Sequence, residues 1–257
     1  MRVRLSGKVA VVTGGGTGIG KAISLALARD GASVIVDYFG SEKPASDVVD
    51  EIQNFGGNAY AVAADVSNEE EVANLTGTAI KRFGGIDVLI NNAGIEHKQA
   101  FLETPLDLWS KVMAVNLTGA WICSQAAARQ MVKQKRGGRI INISSIHEDL
   151  AMPTNAPYCA SKGGVRMLMR TIALELAEYG ITVNDVCPGA VDTPMDAKLK
   201  HDRKEFTDLL SEIPLRRMAN PAEIAELCVF LASESGAYIT GASYVIDGGM
   251  TKQAGSL

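Results

Sequence analysis

Val9-Ala10-Val11-Val12-Thr13-Gly14-Gly15-Gly16-Thr17-Gly18-Ile19-Gly20 joins a short apolar run to a glycine-rich turn near the start of the chain. A short β-branched run bounded by turn residues is the pattern of a buried strand. It runs directly into glycines and then into an amphipathic segment, residues 18–29. Glycine at 14, 18 and 20 lets the backbone turn tightly and come close to a ligand. The helix that follows offers unpaired N–H groups and a partial positive charge, which suit a pyrophosphate. A glycine cluster alone is consistent with a plain turn. A strand before it and a helix after it make the dinucleotide-binding reading the better one.

The same alternation continues outward along the chain. Strands are expected at residues 9–13, 33–37, 59–63, 87–91, 139–144, 182–186 and 243–247. Most are continuous apolar runs, as in a parallel sheet covered by helices on both faces. Helices are expected at 18–29, 43–55, 69–83, 106–133, 157–179 and 221–232. This rhythm predicts an α/β fold: a single-domain, doubly wound Rossmann sheet of about seven parallel strands spanning residues 1–257, with right-handed crossovers. Glycines at 31, 56–57, 84–85, 137–138 and 180 fall at the helix-to-strand seams, where a left-handed cap is useful. Residues 190–214 break the rhythm as a polar insertion long enough to be a substrate lid.

Composition narrows the function classes. Of 257 residues, 47% are hydrophobic and 21% charged, ordinary values for a globular chain with a large core. The net charge of −4 supplies no basic field for nucleic acid or anionic lipid. No apolar run approaches the roughly 18 residues of a membrane span. Arg2 and Arg4 precede residues 9–12, but no further apolar region follows, so no secretion signal is expected. Cys123, Cys159, Cys187 and Cys228 are far apart, without CxxC or histidines at ligand spacing. They read as free thiols, with no metal site and a reducing, cytoplasmic location.

The chemistry centres on Tyr158 and Lys162, which share one face of a helix at i and i+4. A nearby ammonium favours the phenolate form of a tyrosine and brings its proton into useful range. Taken alone, Tyr-x3-Lys also fits a ring packed beneath an aliphatic stem. Its company decides the matter. The chain carries Thr13-Gly14-x3-Gly18-x-Gly20, Asn91-Asn92-Ala93-Gly94, Asn116, Ser145, Tyr158-x3-Lys162 and Pro188-Gly189 in that order.

With these motifs the chain resembles the short-chain dehydrogenases/reductases over its entire length. The resemblance implies hydride transfer between NAD or NADP and an alcohol or carbonyl. It assigns Tyr158 the proton exchange and Lys162 the support of the phenolate and of the nicotinamide ribose. It gives Ser145 a bond to the substrate oxygen and Asn116 a place in the proton relay. Cofactor contacts are implied at Gly14, Thr17, Gly18, Ile19, Gly20, Asp37, Asp65, Val66, Asn92, Pro188, Gly189, Val191 and Thr193. Asp65 has a second reading as N-cap of the next helix, and Thr193 as N-cap of the lid. Cys159 reads as a packed thiol, and His97 and His201 as solvated.

Asp37 ends the second strand, where a carboxylate accepts bonds from the adenosine ribose and repels a 2′-phosphate. Basic residues that would welcome that phosphate are replaced by Phe39 and Thr17. NAD is favoured over NADP, with Tyr38 as the alternative residue facing the ribose and Lys43 not far away.

Glu96 after the fourth strand and His147 two residues past Ser145 are candidate substrate contacts, on the same side if the strand continues. Asp196 in the lid is a third. Ser144–Glu148, Ala160–Gly164 and Asp247–Thr251 resemble the glucose 1-dehydrogenase branch, which oxidises the anomeric hydroxyl of an aldose to a lactone. Other polyols, ketones or a 3-oxoacyl thioester are alternative substrates, and a non-catalytic dinucleotide sensor is a more distant reading. The helices at 106–133 and 157–179 are the surfaces on which the family assembles, so a homotetramer is expected.

Overall fold

β1 (Val9–Val12) is buried at all positions and forms the centre of a sheet whose chain crosses from one side to the other around it. The computed structural model describes residues 3–194 and 202–252. Among them seven strands pair in the order β3-β2-β1-β4-β5-β6-β7: β2 (Ser33–Tyr38), β3 (Ala59–Ala63), β4 (Val88–Asn91), β5 (Gly138–Ile143), β6 (Ile181–Pro188) and β7 (Ser243–Ile246). Each recorded pairing is parallel. The order reverses between β1 and β4, which opens a crevice at the carboxyl ends of those strands.

Strand alternation sends successive side chains to opposite faces. Ala10, Val12, Val34 and Val36 pack with α1 (Gly18–Arg29), α2 (Lys43–Asn54) and α8 (Pro221–Ala232). Val11, Ile35, Ile181 and Val183 pack on the other face with α3 (Glu69–Phe83), α5 (Gly119–Gln134) and α6 (Ala156–Leu176). Both faces are therefore covered. Side-chain caps fix two of these helices: Asn68 starts α3 by accepting from Glu70 and Glu71 N–H, and Asn220 and Glu223 form a reciprocal capping box on α8. Gly84 ends α3 at φ 87°, a left-handed cap open to glycine.

The structure changes several expectations. The helix expected at 106–133 is two helices, α4 (Leu106–Met113) and α5, joined by a π turn at Ala114–Thr118. Such bulges often mark functional sites, and this one carries Asn116. The helix expected at 157–179 runs as α6 and then tightens into a 3-10 turn at Ala177–Tyr179. The insertion at 190–214 contains its own helix, α7 (Arg203–Glu212), capped by Asp202. Its near end is tied down by a bridge from Val191 to Ala219. Asp196 and His201 lie outside the described residues. Asp65 is not the N-cap of α3, because Asn68 takes that role. All four cysteines are free thiols; Cys159 is half-buried and the others are buried.

Candidate active site

The glycine turn after β1 is shaped to receive an anion. Thr17, the N-cap of α1, makes no side-chain cap, and the first turn holds no acidic residue. The leading N–H groups of that helix are thus left to a negatively charged ligand. Gly20 has no room for a side chain: a Cβ there would lie 2.2 Å from the Gly14 carbonyl oxygen and 2.5 Å from Asn92 Nδ2. Thr193 and Pro194 cover the turn from the far side, with Thr193 Cβ 3.5 Å from where a Gly18 Cβ would stand. Ile19 packs partly buried against the core on the α1 face. These features fit the diphosphate half of a nicotinamide dinucleotide at Gly14–Gly20.

Asp37 corrects one expectation. β2 extends one residue further than expected, to Tyr38, and Asp37 points inward at 1% exposure. Its Oδ2 accepts from Gly14 N–H at 3.0 Å, so it braces the glycine turn from below instead of standing at an open strand end. Burial pushes its carboxyl up to about 7. The residues at the open end are half-buried Tyr38 and exposed Phe39. Lys43 forms an ion pair with Asp47. Asn92 is likewise structural in its side chain: its amide donates to Thr13 O at 2.9 Å and Gly14 O at 3.1 Å, stitching β4 to the turn. Asp65 accepts from Ser67 N–H and Oγ, at 2.9 and 2.6 Å, and Val66 is buried against Gly119.

At the other end of the crevice the chemical residues converge. Lys162 is 7% exposed; its ammonium donates to Ile143 O at the end of β5 (2.8 Å) and stands 5.5 Å from the centre of the Tyr158 ring. Burial lowers its pKa to about 8, and the acids around it oppose that fall. Asn116, on the π turn, accepts from Ile95 N–H at 2.8 Å and donates to Ile95 O at 2.9 Å and Ser161 Oγ at 3.1 Å. Ser161 in turn donates to Tyr158 O at 2.7 Å. Asn116 therefore clamps the loop after β4 to the helix that carries Tyr158 and Lys162. A cavity of about 10 Å³ lies between Asn116, Asn142, Asn91 and Lys162, room for about one water.

Ser145 is buried, and its Oγ accepts from His147 N–H at 3.1 Å, leaving its proton to donate elsewhere. The strand does not continue through this segment: β5 stops at Ile143, and Ile146–Glu148 forms a 3-10 turn capped by Ser145. That turn still brings the His147 ring to 6.4 Å from the Tyr158 ring, edge-on at 68°. His147 Nδ1 is fixed at 3.1 Å from Leu150 O. Glu96 is half-buried one residue beyond the Ile95 that Asn116 holds. At the end of β6, Gly189 permits close approach to Asp247: a Cβ on it would come within 2.8 Å of the Asp247 side chain. Pro188 and Val191 are buried on either side of that turn.

Two acids are buried beneath this site, one of them the Glu148 that closes the Ser144–Glu148 motif. Asp185 is fully buried on β6, and the Glu148 side chain is 3% exposed. Asp185 shares the strand Ile181–Pro188 with Thr182 and Asn184, and only the register sets it against Asn142. For Glu148 no sequence signal separated a buried acid from a loop decoration.

Comparison with known proteins agrees with this geometry. The family described as enoyl-(acyl carrier protein) reductase matches residues 14–251. Glucose 1-dehydrogenase 2 of Bacillus subtilis is 39% identical over 248 residues, covering 96% of each chain. A 3-oxoacyl-(acyl-carrier-protein) reductase of Synechocystis is 44% identical over 247 residues, 96% of this chain and 98% of the relative. A gluconate 5-dehydrogenase from Burkholderia cenocepacia, solved with NADP and tartrate, superposes with a TM-score of 0.92 at 34% identity over 98% of both chains. The chain belongs to the short-chain dehydrogenase/reductase family. It is a nicotinamide-dependent oxidoreductase.

Proposed function

We propose that this oxidoreductase oxidises an aldose at its C1 hydroxyl to the lactone, with NAD favoured over NADP. The observation that carries the reaction is the Lys162 ammonium held beside the Tyr158 ring at the carboxyl edge of β5. A bound nicotinamide would supply the hydride acceptor for the carbinol carbon. Tyr158 Oη removes the hydroxyl proton, and the Lys162 ammonium favours the phenolate that does so. Ser145 Oγ–H donates to the substrate oxygen, holding it toward Tyr158. Asn116 fixes the backbone around the small cavity through which the proton leaves. Gly14–Gly20 with the N-terminus of α1, Asp65, Val66, Pro188, Gly189, Val191 and Thr193 would hold the dinucleotide.

The sugar reading is supported by His147, whose ring stands edge-on to Tyr158, and by Glu96 on the neighbouring loop. Together they offer an imidazole and a carboxylate to a polyhydroxylated substrate. The names of two relatives, a glucose and a gluconate dehydrogenase, point the same way. NAD is supported by Tyr38 and Phe39 at the open end of β2, where no basic residue stands, and by the engagement of Lys43 with Asp47. A homotetramer is supported by exposed Trp121, Met167 and Leu174 on α5 and α6, and a cytoplasmic location by the free thiols.

The test is a panel of aldoses, polyols, ketones and a 3-oxoacyl thioester, read at the reduced-nicotinamide absorbance with NAD and NADP in parallel. Turnover of an aldose with NAD is expected. Turnover of the thioester alone, the reaction named for the Synechocystis relative, would overturn the sugar reading.

A further inference from the structure

Beneath the proposed active site, β6 carries a fully buried acid, Asp185. Ile181 and Val183 point into the cluster built with Met169 and Ala173 of α6. By strand alternation Asp185 and Cys187 face the same helix. On α6 the buried positions Lys162, Val165, Met169 and Ala173 form one stripe at helical spacing. The stripe and the strand thus bring Lys162 and Asp185 together in a region closed to solvent. Asp185 is 0% exposed; its Oδ1 accepts from Asn142 Nδ2 at 2.7 Å, and its Oδ2 has no hydrogen-bond partner. Asn142 is in turn held by Asn91 at 2.8 Å, so the donor to Asp185 is itself fixed.

Two cations bear on this acid, Lys162 and, more weakly, Arg166. Glu148 has Arg166 for company, Oε1 to Nε 3.6 Å, and Arg166 also pairs with Asp149. Around Lys162 the charged or titratable groups are Asp185 and Cys187 on β6, Glu148 on the 3-10 turn and Tyr158 on its own helix. Cys123 of α5 lines the same small cavity. Burial pushes the Cys123 and Cys187 thiols up, which keeps both neutral. An isolated buried carboxylate is costly, and an isolated buried ammonium is too. Burial raises the Asp185 carboxyl to about 8 and Glu148 adds to that rise, while Asn142 and Lys162 oppose it. Where Asp185 ionises, it and the Lys162 ammonium each favour the charge of the other.

We propose that Asp185 is a positioning residue, which from β6 beneath α6 holds the ammonium charge of Lys162. Its functional meaning rests on the reading above, in which that ammonium supports the Tyr158 phenolate. Without Asp185 the buried lysine would lose its proton at lower pH and cease to support the phenolate in the alkaline range.

The experiment needs no substrate. Lysine labelled with 13C at Cε is incorporated into the full chain, and the titrating resonance missing from Lys162→Met identifies Lys162. In the wild-type protein its midpoint is expected at about 8. Asp185→Asn keeps an acceptor for Asn142 and removes the charge. There the Lys162 midpoint should fall by about one pH unit. An unchanged midpoint in Asp185→Asn would overturn the proposal.

A second measurement does not depend on that variant folding. With aspartate labelled at Cγ, Asp185 should titrate well above the ordinary carboxyl range and move higher still in Lys162→Met. Asp37, the other high-titrating aspartate, should stay in place. An Asp185 resonance that ignores Lys162→Met would equally overturn the proposal. Failure of the catalytic reading is distinguishable, because it shows as retained turnover in Tyr158→Phe whatever the two titrations give.

Discussion

Replacing Gly20 by alanine tests whether the glycine turn is shaped by contact or by chance. The new Cβ would stand 2.2 Å from Gly14 O, 2.5 Å from Asn92 Nδ2 and 3.0 Å from Gly14 C. Two of these neighbours are backbone, and Asn92 is tied to Thr13 and Gly14, so none yields cheaply. Relief requires the turn to move by about 1 Å, and such overpacking costs about 1–3 kcal/mol. Alanine returns up to about 1 kcal/mol of helix propensity. With the full gain subtracted the net is a loss of up to about 2 kcal/mol, or up to about 8 °C in Tm for a chain of this size. The same displacement moves the N–H groups aimed at the pyrophosphate, so NAD and NADH should bind at least about tenfold more weakly, about 1.4 kcal/mol.

Gly77→Ala is the matched control. Gly77 lies in the exposed part of α3, and a Cβ there meets nothing within 4 Å. That change should stabilise by about 0.5–1 kcal/mol and leave cofactor affinity unchanged. Thermal melts and NADH fluorescence titrations on both variants read the two quantities. A Gly20→Ala protein with wild-type Tm and wild-type NADH affinity would show that these contacts do not shape the turn.

Two further perturbations test the fold around the site. The fold raises the Asp37 carboxyl from 3.8 to about 7, so it favours the protonated form. The stability this group contributes is full below the unfolded value and is lost as pH rises through about 7, by roughly 4 kcal/mol at most. Asp37→Asn should therefore flatten the decline in Tm between pH 5 and pH 8, and an unchanged decline would show that Asp37 ionises freely in the fold. Asn220→Ala removes the capping box that starts α8, and α8 packs against α1. It should cost about 1 kcal/mol, or about 2–4 °C in Tm, without altering kcat.

Much of the fold was legible because strands and helices in a doubly wound sheet write their periods plainly. The segments at 18–29, 69–83 and 221–232 begin and end where the sequence places them, each bounded by a cap residue or a glycine seam. The break at Ala114–Thr118 was not legible, since the apolar periodicity runs through it and one extra residue in the hydrogen-bond ladder leaves no compositional mark. The inward turn of Asp37 was hidden for a related reason. A continuous apolar run does not reveal which face each residue takes, and pairing with β3 continues to Tyr38 opposite Ala63. At the chemical end the motif residues announced themselves by spacing. Their supports did not: Ile95 acts through its backbone, Ser161 through a hydroxyl inside a helix, and Asp185 only through a register that aligns it with Asn142.

Turnover by Tyr158→Phe tests the proposed chemistry most directly. The phenyl ring keeps the packing against Lys162 and His147 and removes only the oxygen that exchanges the proton. With a substrate found active in the panel, kcat should fall by at least about 10²–10⁴-fold, the range of a lost general acid–base group, while NADH binds as in the wild type. A variant that turns over at the wild-type rate would contradict the assignment of Tyr158 as the proton-exchanging residue.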